Sequence, residues 1–224
     1  SRPPRRPNGK PQHVLGLLHR FRRTASRNAA LLRALAETGV DLVGLEPSMT
    51  LAYRSEYPKA LGADAVPQVD LPQEWLVRRL DELPDLQSEP RRTWKLLPHC
   101  TERTNAPGAT SDWTKVARRF GLELEIVASG CCGMAGLYGH EVANRQTSES
   151  IYAISWGPIL EDLSHLGRIS ATGYSCRCQT KLLGGVRLDH PLQVLLRLLK
   201  AGYTDLPSRP QVPATDSIAV HHED

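Results

Sequence analysis

Trp94-Lys-Leu-Leu-Pro-His-Cys100 and Phe120-Gly-Leu-Glu-Leu-Glu-Ile-Val-Ala-Ser-Gly-Cys-Cys-Gly133 are the two stretches on which the fold turns. Trp94–Leu97 is a short apolar run and Leu122–Ala128 alternates, so each predicts a strand, and each strand is followed within a few residues by cysteine. Between them, Ser111-Asp-Trp-Thr offers a hydroxyl cap for a helix that runs to Phe120 and stops at Gly121. Strand, helix, strand in this order predicts a parallel α/β unit, with functional loops gathered at the carboxyl ends of the strands.

Outward from this core the pattern continues. Upstream, a helical period from about Val14 to Ala36 places Leu15, Leu18, Phe21, Leu31, Leu32 and Leu35 on apolar positions, with Gly39 as its stop. Asp41–Leu45 then reads as a strand closed by the Glu46-Pro47-Ser48 turn, and Leu71 to Leu83 as a helix. Downstream, a helix from about Glu141 to Leu163 is expected to kink or split at Pro158; Arg168 to Thr172 reads as a strand, and Pro191 to Ala201 as a helix with proline in its first turn. From Tyr203 the composition predicts a disordered tail.

The chain also aligns with itself at an offset of 127 residues: Gly9 with Gly136, His13 with His140, Ser48 with Ser175, and Met49 with Cys176. This predicts a pseudo-twofold internal repeat: an incomplete, cysteine-less first copy over residues 1–60, a linker and helix over 61–92, a second copy over 93–202, and the tail over 203–224. On this offset the partners of the Trp94 and Leu122 strands fall before residue 1. With a start at Ser1-Arg2-Pro3-Pro4, the reading is therefore of one end of a longer polypeptide.

Composition narrows the function. Among 224 residues no apolar run reaches the 18 or more needed to span a bilayer, so a transmembrane role is excluded. The net charge of +4 is unevenly placed: residues 1–33 hold nine Lys or Arg and no acid, leaving 19 bases against 24 acids in the rest. No aromatic interleaving or recognition module accompanies the basic arm, so nucleic acid is not expected as a partner. The absence of a secretory segment points to the cytoplasm, where thiols stay reduced.

Five cysteines, Cys100, Cys131, Cys132, Cys176 and Cys178, all lie in the second half and follow three separate strands. Soft thiolate donors on several loops suit iron or zinc, and four are the usual complement of a [4Fe-4S] cluster. The alternatives are a redox dithiol or buried small hydrophobes. His140 and His99 are further candidates, as nitrogen ligands or outer donors, or as structural caps like His13. Arg177 reads either as an offset to cluster charge or as a solvated loop residue. Tyr53, Arg54 and Glu56 read as a face toward another domain or as a surface salt bridge.

The order His99-Cys-Thr-Glu102, Gly130-Cys-Cys-Gly-Met-Ala-Gly-Leu-Tyr-Gly-His-Glu141 and Ala171-Thr-Gly-Tyr-Ser-Cys176 resembles the cysteine-rich CCG domain of heterodisulfide reductase subunits and glycolate oxidase iron-sulfur subunits. With Pro7-Asn-Gly-Lys-Pro-Gln-His13, Val43-Gly-Leu-Glu-Pro47 and Tyr53-Arg-Ser-Glu-Tyr57, residues 7 to 202 resemble more closely the carboxyl-terminal region of the bacterial FAD and iron-sulfur D-2-hydroxyglutarate dehydrogenases. The resemblance implies an electron-transfer domain of a flavoprotein that oxidises a D-2-hydroxy acid. It implies a cluster held by Cys100, Cys131, Cys132 and Cys176, with Cys178 and His140 as further possibilities. FAD and a ferredoxin-type segment would lie in other domains, and an acceptor of unassigned identity would take the electrons. The last pair, Cys176-Arg-Cys178, departs from the Cys-x2-Cys of heterodisulfide reductase, which puts Cys178 in doubt as a ligand. The rival reading is a non-catalytic or zinc-holding module packed on a flavoprotein partner.

Overall fold

The computed structural model describes residues 7–86, 92–161 and 167–201. The chain is α/β, mostly helical, around a small parallel sheet. β1 (Arg92–Leu97) pairs in parallel with β2 (Leu122–Ile126) on one side and with β3 (Ile169–Ala171) on the other, so the order is β2-β1-β3. Parallel neighbours require long crossovers. The first runs through α6 (Cys100–Asn105) and α7 (Pro107–Arg119), the second through α8 (Arg145–Ser155) and α9 (Gly157–Glu161). α10 (Tyr174–Gly184) and α11 (Pro191–Ala201) follow β3.

Side chains alternate across the strands and so split the interior in two. Trp94 and Leu96 of β1 join Trp113 and Val116 of α7, Phe120 just past its end, and Val194 and Leu198 of α11 in one cluster. Leu97 joins Ile169, Ala171, Tyr152, Trp156 and Leu160 in the other, which also takes in Cys132 and Cys176. Full burial of a residue such as Leu96 or Phe120 contributes about 2 kcal/mol each. Two of the cysteines are therefore packed into a core, not merely displayed on loops.

Residues 7–86 form α1 (Lys10–Val14), α2 (Leu18–Ala36), α3 (Pro47–Arg54), α4 (Glu56–Leu61) and α5 (Pro72–Val77). Phe21 and Ala25 of α2 close on Tyr57 of α4. Helix starts at Leu18 and Arg145, and at Pro47 and Tyr174, are each 127 residues apart, the offset at which the sequence aligns with itself. The sheet has no counterpart in the described part of 7–86, where the isolated parallel bridge Val43 to Asp70 stands in place of the strand expected over Asp41–Leu45.

Other expectations are corrected. The helix expected over Val14–Ala36 breaks at Leu15–Leu17 because Gly16 adopts φ +72°, and Leu15 and Leu18 face solvent at 68% and 59% exposure. The helix expected from Leu71 to Leu83 is α5 followed by a 3-10 turn at Leu80–Glu82. α7 starts at Pro107, four residues before the Ser111 cap; Ser111 instead bonds back to the Gly108 carbonyl at 2.7 Å. The segment from Glu141 opens with a 3-10 turn at Val142–Asn144 in place of α-helix, and it splits around Trp156, just before Pro158, as expected there. The Glu46-Pro47-Ser48 turn is the start of α3. The tail from Tyr203 lies outside the described residues. Among the described residues no helix is long and apolar enough to cross a membrane.

Candidate functional site

The ends of all three strands deliver sulfur to one region. β1 ends at Leu97, and His99 then caps α6 by accepting the Thr101 amide on Nδ1 at 3.1 Å, which makes Cys100 the first residue of that helix. Cys131 and Cys132 occupy the loop after β2, and Cys176 sits in the first turn of α10, after β3. The Cys131 thiol interacts with those of Cys100 and Cys132, and Cys132 in turn with Cys176, so the four sulfurs share one neighbourhood. Cys100 is exposed, Cys131 half-buried, and Cys132 and Cys176 buried. Hydrogen bonds donated by the Cys100 and Cys132 thiols hold Cys131 well below the usual thiol range. The same bonds, with burial added, push Cys100 and Cys132 up.

The 129–133 loop is oriented by its carbonyls. Arg103 Nη1 donates to the Ser129 carbonyl, Trp156 Nε1 to Gly130 at 3.0 Å, Ser155 Oγ to Cys131 at 2.6 Å and Ser148 Oγ to Gly133 at 2.9 Å. With these oxygens tied down on helices α6 and α8 and on Trp156, the amides are left to the sulfurs. Gly133 N–H donates to Cys131 Sγ at 3.4 Å, and the Met134 amide serves Cys132. Gly133 has φ +89°, and a Cβ there would collide with the Ser148 carbonyl. Ala135 holds φ +41° without being glycine, a strain of about 1 kcal/mol kept next to the thiols.

Behind the sulfurs lies a buried polar chain. His99 N–H donates to Thr172 Oγ1 at 2.8 Å, and Thr172 Oγ1 donates to Glu102 Oε2 at 2.5 Å; Gln73 Nε2 donates to Glu102 Oε1 at 2.6 Å. Glu102 is fully buried, and burial raises its carboxyl to about 7. His99 is also buried, which lowers its imidazole and favours the neutral ring.

The remaining candidates sit apart from these sulfurs. Cys178 packs on the second core cluster, and its thiol meets the Tyr174 hydroxyl. His140 is exposed at the end of a 3-10 turn. Arg177 is half-buried, and its Nη1 donates to the Ala171 and Thr172 carbonyls at 2.9 and 2.8 Å. Glu56 pairs with Lys10, and Arg54 with Glu74 at the wall of a cleft of about 660 Å³ that also includes Tyr53, Asp70 and Arg78. Nothing in the spacing of the sequence exposes Glu102, Arg103 or Trp156. Ser148 and Ser155 leave a trace, two hydroxyls seven residues apart on one face of a helix.

Among the described residues, no group of three or more His, Cys, Asp or Glu side chains has the arrangement of a ready metal-ion site. The donor set nonetheless fits a sulfur-ligated group in its chemistry: four thiols from one loop and two helix starts, amides turned to sulfur, and a glycine where a side chain would intrude.

The chain is 48% identical over 190 residues to the D-2-hydroxyglutarate dehydrogenase of Pseudomonas putida, covering 85% of this chain and 18% of that protein. It is 44% identical over 195 residues to the D-2-hydroxyglutarate dehydrogenase of Escherichia coli, covering 87% and 19%. To one subunit of the anaerobic glycerol-3-phosphate dehydrogenase of Escherichia coli it is 30% identical over 196 residues, covering 85% and 49%. No family model and no solved structure matches it. The chain thus spans less than a fifth of the length of the D-2-hydroxyglutarate dehydrogenases it resembles, and about half of the glycerol-3-phosphate dehydrogenase polypeptide.

Proposed function

We propose that this chain is an electron-transfer domain of a flavin-linked D-2-hydroxy acid dehydrogenase of the D-2-hydroxyglutarate type, with Cys100, Cys131, Cys132 and Cys176 holding one iron-sulfur cluster. The observation that carries the proposal is the meeting of four thiols that follow three strand ends, two of them on a loop whose carbonyls are all but one bound elsewhere. A cluster bound there supplies one-electron storage between a flavin and an acceptor. The chain's own residues do the rest. Cys132 and Cys176 keep water from the inner side, Cys100 leaves one edge at the surface, and the Gly133 and Met134 amides stabilise negative charge on sulfur. Flavin binding, substrate oxidation and the ferredoxin-type segment are assigned to other domains of the longer enzyme or to a partner chain.

The similarity to part of a second dehydrogenase, named for glycerol-3-phosphate, supports this reading, because it pairs the same module with a different substrate. The second reading, a structural or zinc-holding module packed on a flavoprotein partner, draws on the lack of any cysteine in residues 1–99. Anaerobic reconstitution with iron and sulfide, followed by metal counts and EPR, decides between them. About four irons per chain, lost in Cys132→Ser, is the expected result. A folded chain that takes up no iron would overturn the proposal in favour of the structural module.

A further inference from the structure

α10, which carries Cys176, starts in an unusual way. Its N-cap is Gly173, which has no side chain to accept the first amides of the helix. A capping side chain cannot be accommodated there: a Cβ on Gly173 would collide with the His99 ring and lie 2.8 Å from Cys176 Sγ. The acceptor comes instead from the other half of the chain. Glu46 Oε2 accepts the Tyr174 amide at 2.7 Å, across 128 residues, and its Oε1 accepts from Ser48 Oγ at 3.2 Å. Glu46 is itself the N-cap residue of α3, in the place that Gly173 holds in α10, 127 residues on. Its side chain caps the opposite helix, not its own.

We propose that Glu46 is a positioning residue for Cys176: its carboxylate fixes the first turn of α10 so that the Cys176 thiol meets Cys132. The cysteine-less half of the chain thereby acts on the sulfur site without contributing a ligand. Where the cluster reading above holds, the same carboxylate is a fixed negative charge beside the cluster and makes its reduction harder; that second consequence rests on that reading, and the first does not.

The test uses the metal-free full chain and reads, by mass spectrometry, the rate at which iodoacetamide modifies Cys176, with circular dichroism as the check on folding. Glu46→Ala should speed modification of Cys176 about fivefold, the ratio that corresponds to a cap worth about 1 kcal/mol. Glu46→Gln, whose amide oxygen still accepts, should stay near wild type. Tyr174→Pro removes the donor at a helix position that tolerates proline, and provides the test should Glu46→Ala fail to fold. It should match Glu46→Ala, and the double variant should add nothing further. Unchanged Cys176 modification in both single variants, or additive effects in the double, would overturn the positioning role. In iron-loaded protein, Glu46→Gln should move the midpoint potential to a more positive value. An unmoved potential overturns the charge effect, whereas failure to load iron counts against the cluster and leaves the alkylation result to decide the positioning.

Discussion

Protonating His190 would break the bond that starts α11, because its Nδ1 accepts the Leu192 amide at 3.2 Å. Burial lowers this imidazole to about 4, and the charge of Arg177 adds to the effect; its other neighbours are the Trp113 ring, 5.9 Å away, and Asp189, already paired with Arg197. The native state therefore holds the ring neutral, while the unfolded chain takes up a proton near pH 6.5. Stability from this group is complete above pH 6.5 and is lost as pH falls through about 4, a difference of about 3 kcal/mol at most. Urea titrations between pH 4 and 7 should show that acid slope in wild type and a flatter one in His190→Asn, which can cap without titrating; equal slopes would refute the assignment. Glu102→Ala should cost about 2 to 4 kcal/mol at any pH in that range, since it strands the Gln73 amide and the Thr172 hydroxyl in the interior. The sulfur residues were legible in the sequence because cysteine is rare and five of them fall after strands. Glu102 was not, since its partners Gln73 and Thr172 lie in remote segments and no local pattern records them.

At the scale of the element, the loop from Ser129 to Gly133 depends on what its carbonyls bind. Trp156→Phe keeps an aromatic ring in the core but removes the indole N–H that binds the Gly130 carbonyl and leaves a small cavity, and should lower stability by about 2 to 3 kcal/mol in thermal or urea unfolding. Gly133→Ala combines an unfavourable φ with a collision against backbone that cannot swing aside, and should cost more than about 3 kcal/mol or prevent folding. A near-neutral result for both would show that the loop is held by its cysteines instead. The strands and the long amphipathic segments could be read from period and punctuation. Short helices could not: Pro47, Cys100 and Tyr174 each open a helix whose first turn is set by a tertiary partner or a cap, and in the sequence these openings look like turns.

For the whole molecule, identity near 45% to proteins more than five times its covered length makes this chain comparable to one part of a larger enzyme. Purified alone and supplied with FAD, it should not reduce a dye in the presence of D-2-hydroxyglutarate; turnover would show that substrate oxidation resides here after all. The architecture also constrains how the protein is made. β1 lies between β2 and β3, so the central strand gains its second neighbour only after the whole crossover from β2 to β3 has emerged. Until then Cys100, Cys131 and Cys132 leave the ribosome ahead of Cys176, the thiol that completes the set. Assembly of the sulfur site consequently waits for the last of the three strands, and the interval before it is the time at which the nascent thiols are open to stray oxidation.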